Sequence, residues 1–427
     1  MARAKKETAL TPEERLQAAL VPDWEWPYKL PENWCWTYFK SISTIQTGKK
    51  DANYGSDEGK YPFFTCAAES IRCHGYSFDC RAILLAGNGD INNISRYNGK
   101  FEAYQRTYVV KIAEPLCFDY IFYWFKYRWF DFNKGKMFGT AIPYIRLGNL
   151  QEFPTPIPPL AEQQRIVDRI ESLFAKLDEA KEKAQAVVDS FETRKAAILH
   201  KAFTGELTAK WREEHGVSID NWKTTRFDSV AAIRSNLVDP AEYQSFPHIA
   251  PDNIEKKTGV LLEYHTIAED GVTSGKHRFY SGQILYSKIR PYLSKAVVVD
   301  FDGLCSADMY PIEAYQNARC LWYYMLSDEF LLQASTAGSR SVLPKINQKE
   351  LSALTVHLPT NDREQEEIAR ILDELFDKEQ QTKEAAEIVL DQIDLMKKSI
   401  LARAFRGELG TNDPSEESAM ELLKRVL

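Results

Sequence analysis

One long stretch of this chain occurs twice. Glu162 to Leu207, EQQRIVDRIESLF…KAAILHKAFTGEL, returns as Glu364 to Leu409, EQEEIARILDELF…KKSILARAFRGEL. About 19 of 46 positions are identical without a gap, which marks an internal duplication. Asn33-Trp34 opens one unit and Asn221-Trp222 the other. At a single common offset, Ile83-Leu84 matches Ile284-Leu285, Pro143-x-Ile145 matches Pro344-x-Ile346 and Leu150 matches Leu351. A chain of this kind folds as module, helix, module, helix, and can hold two similar surfaces at a fixed separation.

The repeated stretches read as helices. In the first, Ile166, Ile170, Leu173, Leu177, Ala180, Ala184, Val187, Phe191 and Ile198 follow steps of four and three, with Arg194 filling the gap. That is a heptad seam. Ile368, Leu372, Leu375, Ala386, Val389, Ile393, Met396 and Ile400 keep the same frame in the second, interrupted by Glu379 and Thr382. Pro158-Pro159 bars helix upstream, and Gly205 and Gly407 stand where helices end. Each helix of about 42 residues would span about 63 Å. Two matched seams in one chain predict an antiparallel intramolecular coiled coil, with the modules related by a pseudo-twofold axis.

The modules, 33–158 and 220–359, are rich in Tyr, Phe, Trp, Val and Ile. Tyr108–Ile112 and Lys295–Val299 read as strands, with Gly, Asn and Asp between such runs. Ile121–Phe125 and Leu321–Leu326 fit strand or buried helix equally. The expected class is α+β. The segments are a helical extension over 1–32, a module over 33–158, a helix over 159–209, a module with its linker over 210–359, a helix over 360–411 and a helical tail over 412–427. Thr11-Pro12-Glu13-Glu14 and Asp413-Pro414-Ser415-Glu416 look like helix starts, the latter before the apolar face Met420, Leu423, Val426 and Leu427.

No apolar run nears the roughly 20 residues that span a bilayer, and MARAKKETALTPEERL lacks the apolar stretch of a signal peptide. Seven irregularly spaced cysteines fit a reducing compartment, so a cytoplasmic protein is expected. The net charge of −7 is unevenly spread. By segment it is about +4 over 33–158, about zero over 161–210, about −2 over 220–359 and about −7 over 360–427. The helices are therefore poor grips for a polyanion, whereas the first module is mildly basic.

The chain resembles the specificity subunit of type I restriction–modification systems. The residues that carry the match are Leu30-Pro31-Glu32-Asn33-Trp34, the joint Pro156-Ile157-Pro158-Pro159-Leu160-Ala161-Glu162-Gln163, and the helix end Ala202-Phe203-Thr204-Gly205-Glu206-Leu207-Thr208 with its echo Ala404-Phe405-Arg406-Gly407-Glu408-Leu409. Ile284 to Tyr292, ILYSKIRPY, is similar to a target-recognition segment. The resemblance covers essentially the whole chain. It implies two target-recognition domains, each reading half of a split, asymmetric site on double-stranded DNA. It implies helices that set a spacing and dock two methyltransferase subunits, with two nuclease/translocase subunits joining them. The second joint, Leu358 to Glu364, departs from the pattern: it lacks the second proline and the Leu-Ala, and has one extra residue.

Catalytic motifs are missing from the sequence. There is no Asn-Pro-Pro-aromatic or Asp-Pro-Pro-Tyr tetrapeptide and no phosphate loop ending in Gly-Lys-Ser/Thr. Gly87-Asn88-Gly89-Asp90 reads as a turn. The segment Pro251 to Lys257 holds Asp252 and Glu255-x-Lys257, but two carboxylates in one turn do not converge on a metal as a nuclease needs. Cys66, Cys73, His74 and Cys80 lack knuckle spacing and read as free thiols rather than a zinc site. We expect a chain that is not an enzyme and holds no cofactor or metal. The resemblance assigns S-adenosylmethionine, ATP and Mg to the partner subunits.

DNA contacts call for Lys, Arg, Asn and hydroxyl side chains at loop tips. The candidates are Lys49, Lys50, Asn93, Arg96, Lys134 and Lys136 in the first module, and Lys276, Arg278, Lys288, Arg290, Ser339 and Arg340 in the second. Lys136–Gly139 aligns with Ala337–Arg340 in the repeat. A non-catalytic DNA sequence reader in a restriction complex is the leading expectation. A coiled-coil scaffold with protein- or ligand-binding modules is the alternative, and an endonuclease built on 251–257 is a third.

Overall fold

The computed structural model describes residues 11–337 and 344–427. Along the chain, α1 (Pro12–Ala19) precedes β1 (Cys35–Tyr38), β2 (Ser43–Thr47), β3 (Tyr61–Phe64), β4 (Ile71–Cys73), β5 (Phe78–Ala86), β6 (Ile94–Ala103) and β7 (Thr107–Ile112). Helices α2 (Phe118–Asn133) and α3 (Leu147–Gln151), strand β8 (Pro154–Ile157), and helices α4 (Leu160–Asp189), α5 (Phe191–Phe203) and α6 (Ala209–His215) follow. The second module runs β9 (Trp222–Arg226), β10 (Ala231–Ile233), β11 (Leu237–Val238), β12 (Pro247–Ile249), β13 (His265–Thr266), β14 (Lys276–Phe279), β15 (Ile284–Ser287), β16 (Ala296–Val298), β17 (Gly303–Cys305) and β18 (Met309–Ala314). It ends with α7 (Ala318–Met325), α8 (Asp328–Ala337), α9 (Gln348–Ala353) and β19 (Thr355–Pro359), before α10 (Asp362–Ala404) and α11 (Ala419–Val426).

Two compact units emerge, and their limits fall inside the long helices: Met1–Lys183 with Val389–Leu427, and Ala184–Ile388. In the first, a six-stranded sheet of order β2-β7-β5-β6-β3-β4 stands beside the short pair β1-β8, which ties the module's start to its exit. The aromatic stretch at Ile121 resolves as helix. α2 buries Tyr120, Trp124, Phe125 and Trp129 with Trp36, Phe153 and Phe405. Tyr120 and Trp124 donate to the carbonyls of Pro156 and Pro154, so their polar ends are satisfied as well.

The second unit repeats this plan with one break. β9-β19 reproduces the closing pair, and the stretch from Leu321 is again helical as far as Met325, with Phe203, Trp222, Tyr324, Phe330 and Leu372 in its core. The long β5 has two counterparts here, β14 and β15. The turn between them needs Gly282 at φ 86°, so the sheet divides into β10-β18-β15-β16 and β11-β14-β17-β12-β13.

The helices pair antiparallel within each unit. In the first unit Lys397 is ion-paired with Asp178, and Lys181 lies 3.5 Å from Asp394. In the second, Arg194 sits 2.7 Å from Glu379, so two of the three residues that interrupt the seams pair as a polar layer, while Thr382 Oγ1 turns back to the Lys378 carbonyl. The first stretch is not one helix. Ser190 Oγ donates to the carbonyls of Ala186 and Val187 and Arg194 to that of Val187, which takes up the turn's acceptors and ends α4 at Asp189. α10 is continuous for 43 residues. Val389 and Met396, expected in the seam, are 40% and 48% exposed, whereas Ile393 is buried. The N-terminal capping box of Thr11 and Glu14 forms as expected. At the other end α11 starts later than its signal, with Ser418 as N-cap, because Asp413 caps only the turn at Ser415.

The joints explain the repeated Glu-Gln. Glu162 is buried and accepts from Trp34 Nε1 at 2.8 Å, Asn412 Nδ2 at 2.9 Å and Thr411 Oγ1 at 3.2 Å. Glu364 is its counterpart, accepting from Trp222 Nε1 at 3.0 Å, Asn221 Nδ2 at 2.9 Å, Thr208 Oγ1 at 2.8 Å and Arg212 at 2.7 Å. Gln163 and Gln365 donate to the carbonyls of Pro158 and Pro359 and accept the amides of Cys117 and Asn317. Each module is thus sealed by the segment that follows the opposite helix. The longer second joint does not disturb this clamp.

Candidate nucleic-acid interface

In the first unit, several loops meet at one end of the six-stranded sheet, where β2, β3 and β5 finish and β6 and β7 begin. Backbone bonds lace them together: Gly48 N to Thr107 O, Tyr104 N to Phe64 O, Gln105 N to Lys50 O, Gly87 N to Arg106 O and Gly89 N to Pro143 O, at 2.8–3.3 Å. A rigid sheet therefore carries a rim of short loops, a common placement for binding residues.

Lys49 is exposed on this rim, and Lys50 lies 4.4 Å from the Tyr54 ring centre. Lys134 and Lys136 follow α2; the first is 3.5 Å from Asp131 and the second stacks 3.5 Å from the Phe132 ring. Asn149 Nδ2 donates to the Lys136 carbonyl, which joins that loop to the segment after Tyr144. Asn93 is turned inward, its amide donating to the carbonyls of Cys66 and Ala67. Arg96 is not on a loop tip. It extends from β6 over the Phe122 ring and pairs with Asp119, which also binds Arg81 at 2.5 Å. Two cations missed by the sequence reading belong to the rim instead. Arg106 is exposed in the β6–β7 turn, and Arg146 stacks 3.9 Å from the exposed Phe138 ring. Only their place in the fold identifies them, because neither lies in a run of basic or turn residues.

The second unit uses the same framework with other side chains. Arg290 N donates to Pro344 O at 2.8 Å and Ile346 N to Lys288 O at 2.9 Å, the counterparts of Gly89 N to Pro143 O and Ile145 N to Gly87 O. Where the first module has Arg106, this one has the turn Ser306–Asp308. Asp308 takes Lys345 at 3.0 Å and lies 3.9 Å from Lys288. Lys288 also donates to the Ala307 carbonyl; burial, with Lys345 nearby, lowers its pKa. Arg290 is exposed. Lys276 is a correction to a loop-tip reading: it is buried on β14, with its ammonium on Ser274 O and Oγ and its pKa lowered by burial. Arg278 sits among the rings of Tyr280, Tyr243 and Phe246 at 4.8–5.9 Å. Ser339 and Arg340 lie outside the described residues.

Asp252 and Glu255 are both exposed, on a turn that ends with Lys257. Cys66 and Cys73 bond to different carbonyls, of Arg106 and Gly75. Among the described residues no cluster of three His, Cys, Asp or Glu could hold a metal ion, and no helix is long and apolar enough to cross a membrane.

Comparison with known proteins places this geometry in a family. Residues 31–188 and 219–389 match the type I restriction modification DNA specificity domain. The chain is 40% identical over 428 residues to the type I restriction enzyme EcoDI specificity subunit of Escherichia coli, covering 93% of this chain and 95% of that one. It is 25% identical over 325 residues to the EcoKI specificity subunit of E. coli strain K12, covering 67% and 66%. In fold, it matches a chain from a study of complex assembly and conformational transition in the type I R-M system, at a TM-score of 0.65 and 19% identity, over 90% of this chain and 100% of that one. The HsdS subunit of Thermoanaerobacter tengcongensis matches at a TM-score of 0.57 and 18% identity, with the same coverage.

Proposed function

The chain belongs to the type I restriction–modification DNA specificity family, and from that premise we propose that its two modules each read one half of a split DNA site on behalf of enzymatic partners. One observation carries this reading: the same loop framework recurs at the end of a sheet in both modules, with Gly89 N on Pro143 O and Arg290 N on Pro344 O, but bears different side chains. A shared frame with divergent chemistry is what two readers of unlike half-sites require. On this reading Lys49, Lys50, Lys134, Lys136, Arg106 and Arg146 face DNA in the first module. In the second, the contacts come from Lys288, Arg290 and the segment of Ser339 and Arg340. Asn93, Arg96, Lys276 and Arg278 act by holding the loops and strands in place.

The chain itself neither methylates nor cuts. S-adenosylmethionine, ATP and Mg belong to the methyltransferase and nuclease/translocase subunits, two of each, in a cytoplasmic complex. Replacing 33–158 with the matching module of a relative tests this. Sequencing of methylated sites in cells expressing the complex should show one half of the motif changed and the other intact. Change in both halves, or methylation by the purified chain with S-adenosylmethionine alone, would sink the proposal.

A further inference from the structure

Among the described residues, the three non-glycine residues at positive φ, Lys257 (64°), Arg290 (48°) and Ser294 (46°), form one small network in the second module. Arg290 and Ser294 bound the turn Pro291–Leu293. Lys257 N donates to Leu293 O at 3.1 Å and Ser294 O at 3.3 Å. Behind them the buried Lys195 of α5 reaches out of its helix, its ammonium on Lys257 O at 2.7 Å and Thr258 O at 3.3 Å. Left-handed backbone is costly for any residue with a Cβ and persists only where the surroundings impose it. At the equivalent point the first module follows the same path, with the matching amide bond, using Gly89 at φ 74°. Glycine is therefore sufficient for the backbone, and whatever the arginine at 290 contributes lies in its side chain.

Resting on the DNA reading above, we propose that Arg290 is a phosphate anchor of the second half-site, and that the braced turn 290–294 exists to hold it at the DNA. The Arg290 side chain is exposed and has no ion pair or hydrogen bond to any described residue. Base reading by arginine needs a fork locked in orientation by neighbours. A guanidinium on a fixed Cα, free to swing, suits the sugar–phosphate backbone, where charge matters more than angle. Lys288 and Lys345 stand on the same loops, but Asp308 engages both, so of these three cations Arg290 alone is left uncompensated.

The test compares Arg290→Gly, Arg290→Lys and Arg290→Ala with the wild type in the assembled methyltransferase complex, with Arg226→Ala as a matched charge control. Arg290→Gly should raise the melting temperature by relieving the backbone, yet weaken DNA binding roughly tenfold near 0.1 M salt and lower the salt slope by about one. Arg290→Lys should keep most of the affinity, because a phosphate accepts either cation while a bidentate base contact does not. The methylated motif should be unchanged in every variant. A relaxed base preference in one half, or a lysine as damaging as alanine, would make Arg290 a base reader and overturn the proposal. So would unchanged affinity and slope. Absence of salt-sensitive retention of a bipartite site by the wild-type complex would overturn the DNA reading itself.

Discussion

Glu162 and Glu364 occupy the same place in the repeat but differ in their electrostatics. Burial raises the Glu162 carboxyl above its usual 4.5, against bonds from Trp34, Asn412 and Thr411 that favour the ionised form. Burial would do the same to Glu364, but bonds from Asn221, Arg212, Thr208 and Trp222 together hold it below that value. The signs follow. Glu364 stabilises the fold fully above its usual pKa, and that contribution is lost as pH falls through its lower folded value. Ionising Glu162 costs the fold, so stability declines as pH rises from its usual pKa through its raised one. Denaturant titrations should therefore show Glu162→Gln flattening the loss above pH 4.5 and Glu364→Gln flattening the loss below it. Arg212→Ala, which leaves a buried carboxylate without its cation, should cost about 3–5 kcal/mol by urea unfolding. Arg165→Ala, at a half-exposed pair with Glu416, should cost about 1 kcal/mol or less. Lys195 is pushed down to about 8 by burial. Stability should rise between that pH and its usual 10.5, and Lys195→Met should remove the rise.

The helices are the most legible elements, because a heptad seam is a local pattern. Even so the sequence does not announce the break at Ser190, where a hydroxyl and an arginine compete for main-chain carbonyls. Periodicity cannot assign the aromatic stretches: α2 is apolar on most sides because it is buried on most sides. Gly407 ends α10's last turn at φ 74°, and a Cβ there would come within 2.5 Å of Pro31 Cγ. Gly407→Ala should therefore destabilise the first unit by about 1–2 kcal/mol or more, read as a lowered melting temperature. The candidate interface is legible only in part. Loop lysines such as Lys49 and Lys136 are recoverable from turn chemistry. Lys276 and Arg96 mislead because a basic residue within a few positions of a glycine or an asparagine looks like a loop tip even when a strand carries it inward or under a helix. Arg106 and Arg146 become visible only once distant loops meet at one end of a sheet.

At the scale of the molecule, the duplication does not divide into consecutive packages. The second unit is one unbroken stretch, Ala184–Ile388, while the first needs Val389–Leu427 to complete it. Leu422 and Leu423 are buried in the first core, and Thr411 and Asn412 sit on Glu162. Deleting 411–427 should therefore expose the first core while sparing the second, seen as faster proteolysis confined to fragments from 33–158. Translation sharpens the asymmetry. A ribosome finishes every residue of the second reader while the first, made earlier, still lacks part of its own core. The first reader stays immature until the stretch Val389–Leu427 has been made, so a message interrupted before it cannot release a protein with a finished first reading head and no second one.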